Sequence, residues 1–273
     1  YVLYNVDDYD NFKHDDMGVH VLRTGQGCRA FANNIPFRDL ITLIIGGTKY
    51  KFTRIDLAID DRMEKVISFH KLYYYLIRGM YTSRWNKWQS ILVNNRDQNL
   101  GQTVYLGSRQ SEIYCRVYNK ALEQRYKYRN NQPVIRKLPK KWTRVELVFK
   151  KAKANSLAKH LICNYSIGKT AKAVLNNYLR ILRRKPKSSY SAYKYPTAKW
   201  WTRFIGEVGK LQLKVDVDVT TIEKMKSWVY RQVTPTLAAI TKANDGELNW
   251  LFKMLAEAKE RMKRKHFDAI AQY

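Results

Sequence analysis

Three stretches of this chain alternate apolar and polar side chains at every second position, the period of a β-strand. In residues 52–60, Ile55, Leu57 and Ile59 point one way, and Arg54, Asp56 and Asp60 the other. In 114–120 one face carries Tyr114, Arg116, Tyr118 and Lys120. In 142–149, Arg144 and Glu146 oppose Val145, Leu147 and Phe149. Each stretch therefore predicts a strand with one core face and one charged face. Residues 103–106 predict another strand, and 18–31 read as two short β-like runs around the turn-like Thr24-Gly25-Gln26-Gly27. Residues 37–45 are apolar and are broken by Gly46-Gly47.

Helical spacing appears elsewhere. Met63, Val66, Ile67, Leu72 and Leu76 predict a helix within 62–79 that stops at Gly79. Residues 156–184 read as one helix ending in the run Arg183-Arg184-Lys185-Pro186-Lys187. Residues 221–243 read as a helix kinked at Pro235, and 247–271 as a final amphipathic helix. Between them, 124–141 is polar and turn-prone, 188–197 is a Ser- and Tyr-rich loop, and 211–219 suits a short strand. The class is α+β: a central, mostly antiparallel sheet with flanking helices. Residues 1–150 form the candidate catalytic domain, and 151–273 a mainly helical part that completes or flanks it.

Charge narrows the function. The 273 residues hold 51 Lys and Arg against 23 Asp and Glu, a formal net charge of +28. Such an excess repels itself unless a polyanion neutralises it, and each phosphate contact releases counterions. DNA is the expected partner. No apolar run approaches the ~20 residues that span a bilayer, so no membrane role is expected. Cys28, Cys115 and Cys163 are far apart, and the five histidines form no pair, so neither a disulfide framework nor a Cys/His zinc site is predicted. This cysteine usage fits a reducing cytoplasm, the expected compartment.

If the three strands pair in one sheet, their charged faces merge into one patch of Asp, Glu, Arg and Tyr. From alternation alone, solvent-facing ion pairs explain such a patch equally well. The composition also suits chemistry on a phosphodiester. Carboxylates suit a hard cation such as Mg²⁺ or Mn²⁺, arginines suit phosphate, and a tyrosine hydroxyl can attack phosphorus.

The segments Phe52-Thr53-Arg54-Ile55-Asp56-Leu57-Ala58-Ile59-Asp60, Arg116-Val117-Tyr118-Asn119-Lys120 and Thr143-Arg144-Val145-Glu146-Leu147 resemble, in order and spacing, the Rep_trans rolling-circle replication initiators and the MobT-type relaxases of integrative and conjugative elements. Thr24 to Arg29, Lys199 to Phe204 and Arg261 to His266 resemble the conjugative branch more than the plasmid branch. The resemblance implies a Rep/relaxase core like that of the HUH enzymes but without their histidine pair. It implies metal-dependent nicking and strand transfer at an origin through a 5′-phosphotyrosine, with DNA single-stranded at the nick. Tyr118 takes the nucleophile's place and Arg116 that of its phosphate-binding neighbour. Asp56 and Glu146 take the places of metal ligands, with Asp60 a further acidic member of the motif, for Mn²⁺ or Mg²⁺. A host helicase is an expected partner, and a homodimer is compatible with the class. MobT-type relaxases often carry an N-terminal helix-turn-helix module. None is readable here, and a start at Tyr1 rather than Met leaves room for one upstream.

Other residues compete for these roles. Tyr114 shares the face of Tyr118. Arg54, Lys120 and Arg144 are expected to hold DNA, as are Arg125 and Lys127, which interleave with Tyr126 and Tyr128 in a pattern suited either to a solvated loop or to a single-strand groove. Arg109 is a weaker phosphate candidate. His20 reads as a lone structural histidine or a third metal ligand. Arg183 to Lys187 reads as a charged helix end or a backbone-phosphate contact.

Overall fold

A computed structural model describes residues 1–3, 19–47, 50–96, 98–188, 191–215 and 221–273. The strands are β1 (Val2–Leu3), β2 (His20–Val21), β3 (Arg54–Asp61), β4 (Tyr81–Ser83), β5 (Trp88–Asn95), β6 (Gln98–Leu106), β7 (Ile113–Asn119), β8 (Thr143–Lys150) and β9 (Leu179–Ile181). The helices are α1 (Gly25–Ala32), α2 (Phe37–Gly46), α3 (Phe69–Ile77), α4 (Lys120–Lys127), α5 (Gln132–Lys137), α6 (Lys151–Cys163), α7 (Ile167–Tyr178), α8 (Lys199–Ile205), α9 (Ile222–Trp228), α10 (Thr234–Ala243), α11 (Asn249–Lys259) and α12 (Arg264–Ala271).

Five strands form one antiparallel sheet in the order β3-β8-β7-β6-β5. Its register explains the alternation. Leu57 pairs with Leu147, which pairs with Cys115, and Val117 pairs with Val145 and Val104. All of these are buried, and α3, α6 and α7 add Phe69, Leu72, Leu76, Leu157, Leu161, Val174 and Leu175 to the same core. The opposite face carries the charged side chains. At one end of the sheet the Trp85 indole donates to the Ile113 carbonyl at 3.1 Å and lies so close to Gly107 that any Cβ there would collide with the ring. Gly107 also has φ +86°, which a side chain disfavours.

Several sequence expectations need correction. The 24–31 stretch is a helix, not a turn between strands: the Thr24 hydroxyl caps α1 by accepting from the Gly27 amide. Residues 37–46 are also helical. The helix expected over 62–79 begins only at Phe69, because Asp61 accepts the amides of Met63, Lys65, Val66 and Ile67 and holds that stretch as a loop. The single helix expected over 156–184 is two helices followed by β9, which pairs with β4. Residues 211–215 are not a strand, and 216–219 lie outside the described residues.

The chain divides into two compact units, Tyr1–Val215 and Asp216–Tyr273. The first therefore takes in α6, α7, β9 and α8 beyond residue 150 and encloses the core above. The second is helical. A π-helical turn at Val229–Val233 precedes α10, with Pro235 in that helix's first turn, and the final helix expected over 247–271 is split into α11 and α12. Ala269 is its one buried residue among those described. Also among the described residues, no helix is long and apolar enough to cross a membrane.

Candidate active site

The polar face gathers side chains from three adjacent strands. Register sets Ala58 opposite Glu146 and Asp60 opposite Arg144 across β3 and β8. It sets Arg116 opposite Glu146 and Tyr118 opposite Arg144 across β7 and β8. Between Asp56 and Asp60 on this face stands the small, exposed Ala58.

Each carboxylate on this face is gripped by one guanidinium through two hydrogen bonds, a planar fork that suits arginine and not lysine. Arg116 donates to Glu146 at 2.9 and 2.7 Å. Arg144 donates to Asp60 with both bonds at 2.7 Å. Arg54 donates to Asp56 with both bonds at 2.8 Å. The Trp142 indole donates to the same Asp60 oxygen as Arg144, at 2.7 Å. Burial alone would raise the Asp60 carboxyl, but these bonds from Arg144 and Trp142 outweigh it and hold the group below the usual carboxylate range.

Tyr118 lies within this network. Its ring is 7% exposed, and its hydroxyl donates to Glu146 Oε2 at 3.3 Å. The Arg116 guanidinium lies 5.4 Å from the ring centroid and Lys120 Nζ 5.5 Å. The phenol is therefore covered but not sealed in the apolar interior. Burial, and after it the Glu146 charge, pushes its ionisation well above the ordinary value, against the pull of Arg144 and Arg116. Tyr118 therefore rests as a neutral phenol, and reaction needs a group to take its proton. Glu146 stands in hydrogen-bonding position to do so.

The structure brings Tyr118, Arg116, Glu146, Arg144, Asp60 and Lys120 together around the β7–β8 pair. Lys120 begins α4 rather than extending the strand, and it pairs with Glu123. Arg54 and Asp56 lie farther along β3 on the same face. Tyr114 shares this face, is 5% exposed, and has Lys150 Nζ 5.4 Å from its ring. Other candidates lie at the rim. Arg125 ties down the Pro139 and Lys140 carbonyls, Lys127 lies over Tyr128 and Arg109 over Tyr105. His20 sits on the two-residue strand β2.

The three-carboxylate metal group is not assembled as expected. Among the described residues no three His, Cys, Asp or Glu side chains converge to hold a metal ion. The reason is visible: Asp56, Asp60 and Glu146 each turn to a separate arginine. Sequence reasoning missed Trp142, whose indole fixes Asp60. Its signal was adjacency, since it stands two residues before Arg144 and so on the same strand face.

These features define a class: an antiparallel α/β sheet that presents a phenol, guanidiniums and carboxylates on its open face. The chain belongs to the Rep_trans family, described as replication initiation factor, whose sequence model matches residues 50–255. It is 31% identical over 257 residues to the Bacillus subtilis (strain 168) protein named "Putative DNA relaxase NicK", an alignment covering 89% of this chain and 69% of that one. Its fold is similar to the solved rolling circle replication initiator protein from Geobacillus stearothermophilus, with a TM-score of 0.58 and 28% identity, covering 75% of this chain and 74% of that one.

Proposed function

We propose that this protein nicks one strand of DNA at the origin of a mobile element, with Tyr118 as nucleophile, and thereby starts conjugative transfer. The observation that carries the reading is the Tyr118 hydroxyl hydrogen-bonded to Glu146 between Arg116 and Arg144. Tyr118 Oη attacks the phosphorus of a bound phosphodiester. The bond from phosphorus to the 3′ oxygen breaks, leaving the 5′ phosphate on the tyrosine and a free 3′-hydroxyl. The phenol proton passes to Glu146 Oε2, and the departing 3′ oxygen takes up a proton in turn. Arg144 and Arg116 hold the phosphate in line and offset its charge.

A divalent cation, Mn²⁺ or Mg²⁺, fits this donor set. Such ions accept one or two carboxylates together with substrate phosphate and water, without a closed protein cage. Asp56 and Glu146 would hold it, and it would supply charge neutralisation at the phosphate. Both carboxylates are engaged by Arg54 and Arg116, so those guanidiniums would turn from carboxylate to DNA phosphate as the site fills. A host helicase would then unwind the nicked duplex.

The test is incubation of the protein with supercoiled plasmid bearing the element's origin, with Mn²⁺ or with EDTA. Wild type with metal should yield nicked circles carrying covalent protein, and Tyr118→Phe should yield none. Equal nicking by Tyr118→Phe would reject Tyr118 as the nucleophile, and no nicking by wild type with metal would leave a DNA-binding protein without catalysis. The likeness to a rolling circle replication initiator favours a second reading, in which the same cut starts plasmid replication. Mobilisation of an origin-bearing plasmid between cells separates the two.

A further inference from the structure

On the polar face three arginines grip three carboxylates. A larger excess of positive charge lies elsewhere. From Lys151 to Val215 the sequence holds fifteen Lys and Arg and a single acid, Glu207. This segment builds much of the layer over the apolar face, with Leu157, Val174, Leu179 and Ile181 packed into the core.

The densest part of that charge is the loop after β9. It borders a cleft of about 490 Å³ lined by Gly79, Tyr81, Thr82 and Ser83 on one side and by Lys185, Pro186, Ser188 and Ala192 on the other. Residues 78–89 and 178–199, which hold both walls, contain no Asp or Glu. The loop is held in shape. Arg180 donates to the Ala192 and Tyr195 carbonyls at 2.6 and 3.0 Å, and the Lys187 amide donates to the Tyr195 hydroxyl at 3.1 Å. The Arg184 guanidinium lies 5.1 Å from the Tyr195 ring centroid. The Lys185 stem runs 3.5 Å from where a Cβ on Gly79 would stand, and Gly79 has φ +65°. Arg183, Arg184, Lys185 and Lys187 are all exposed. Hydroxyls, a lysine and exposed flanking cations, with no carboxylate among them, match a run of phosphates.

We propose that this cleft and the loop 183–187 bind the sugar-phosphate backbone of double-stranded DNA, as a second DNA surface apart from the Tyr118 face. The proposal rests on DNA being the substrate, but not on nicking. It assigns the single strand to the polar face and the flanking duplex to the helical layer.

The test compares wild type with the combined Arg183→Ala, Arg184→Ala, Lys185→Ala and Lys187→Ala variant. Fluorescence anisotropy reads binding to a mixed-sequence duplex several helical turns long, and to a short mixed-sequence single strand, across a salt series. Duplex affinity should fall about a hundredfold, and the slope of log affinity against log salt should become shallower by about three to four, near 0.9 per lost phosphate contact. Single-strand affinity should change less than about twofold on the same reasoning. Thr82→Glu, which places a carboxylate in the cleft without removing a cation, should weaken duplex binding in the same direction, and lysines in place of Arg183 and Arg184 should restore most of it. Unchanged duplex affinity and slope would overturn the proposal. So would an equal loss on both probes from proteins with wild-type melting curves. If wild type fails to nick while the loop variant still loses duplex binding, the nicking reading falls and this surface stands.

Discussion

The two sides of the central sheet handle positive charge differently. On the open face each of three arginines is fixed by a carboxylate, so the geometry of these pairs is set before substrate arrives. On the covered side the layer from Lys151 to Val215 carries fifteen cations and one acid. The contrast separates two physical tasks. Chemistry at one phosphate needs guanidiniums held in place, and a bidentate carboxylate does this. Attraction of a polyanion needs an excess of positive charge, whatever its fine geometry. The helical unit from Asp216 onward is more evenly charged, with ten Lys and Arg against eight Asp and Glu, and has one buried residue among those described.

If the open face is a prearranged network, cutting it should cost stability, whereas trimming the covered side should not. The largest expected effect is Glu146→Ala. It removes the partner of a half-buried Arg116 and the acceptor for Tyr118, and should lower unfolding free energy by about 2–4 kcal/mol in urea titrations. Asp60→Asn should cost about 1–2 kcal/mol by the same measurement, because Arg144 and Trp142 lose a charged acceptor but keep a polar one.

The next effect is pH-dependent. Asp60 and Asp61 both ionise below their ordinary value in the folded chain: burial acts to raise each, and is outweighed by Arg144 and Trp142 for Asp60 and by backbone amides for Asp61. A carboxyl depressed on folding adds stability that is complete above its unfolded value, near ~3.9, and is lost as pH falls through the lower folded value. Unfolding free energy should therefore decline into acid, and Asp60→Asn should make that decline shallower. The smallest effect is expected on the covered side. Lys185→Ala and Lys187→Ala should each change stability by less than about 0.5 kcal/mol, since both heads are exposed. A larger loss there would erase the distinction between the two sides.

Much of the open face was legible because a strand's period of two is rigid. Leu57, Val117 and Leu147 had to face one way, and Asp56, Tyr118 and Glu146 the other. Which arginine meets which carboxylate was not legible. That depends on register between strands far apart in sequence, such as Asp60 with Arg144, and alternation says nothing of register. The arginine grips therefore came as a finding: Asp56, Asp60 and Glu146 each meet a different guanidinium. Segment 24–31 was misread because glycines at 25 and 27 suggested a turn, whereas the Thr24 cap favours helix. The break after Tyr178 was hidden for a related reason. Leu179 to Ile181 keep an apolar pattern compatible with either element, and only pairing with Tyr81 to Ser83 makes them a strand.

The most direct measurement is peptide mapping by mass spectrometry of the covalent adduct formed on origin DNA labelled at either end of the nicked strand. The account predicts a single modified residue, Tyr118, carrying the 5′ phosphate. An adduct on Tyr114 or any other side chain, or one joined to a 3′ phosphate, would contradict it.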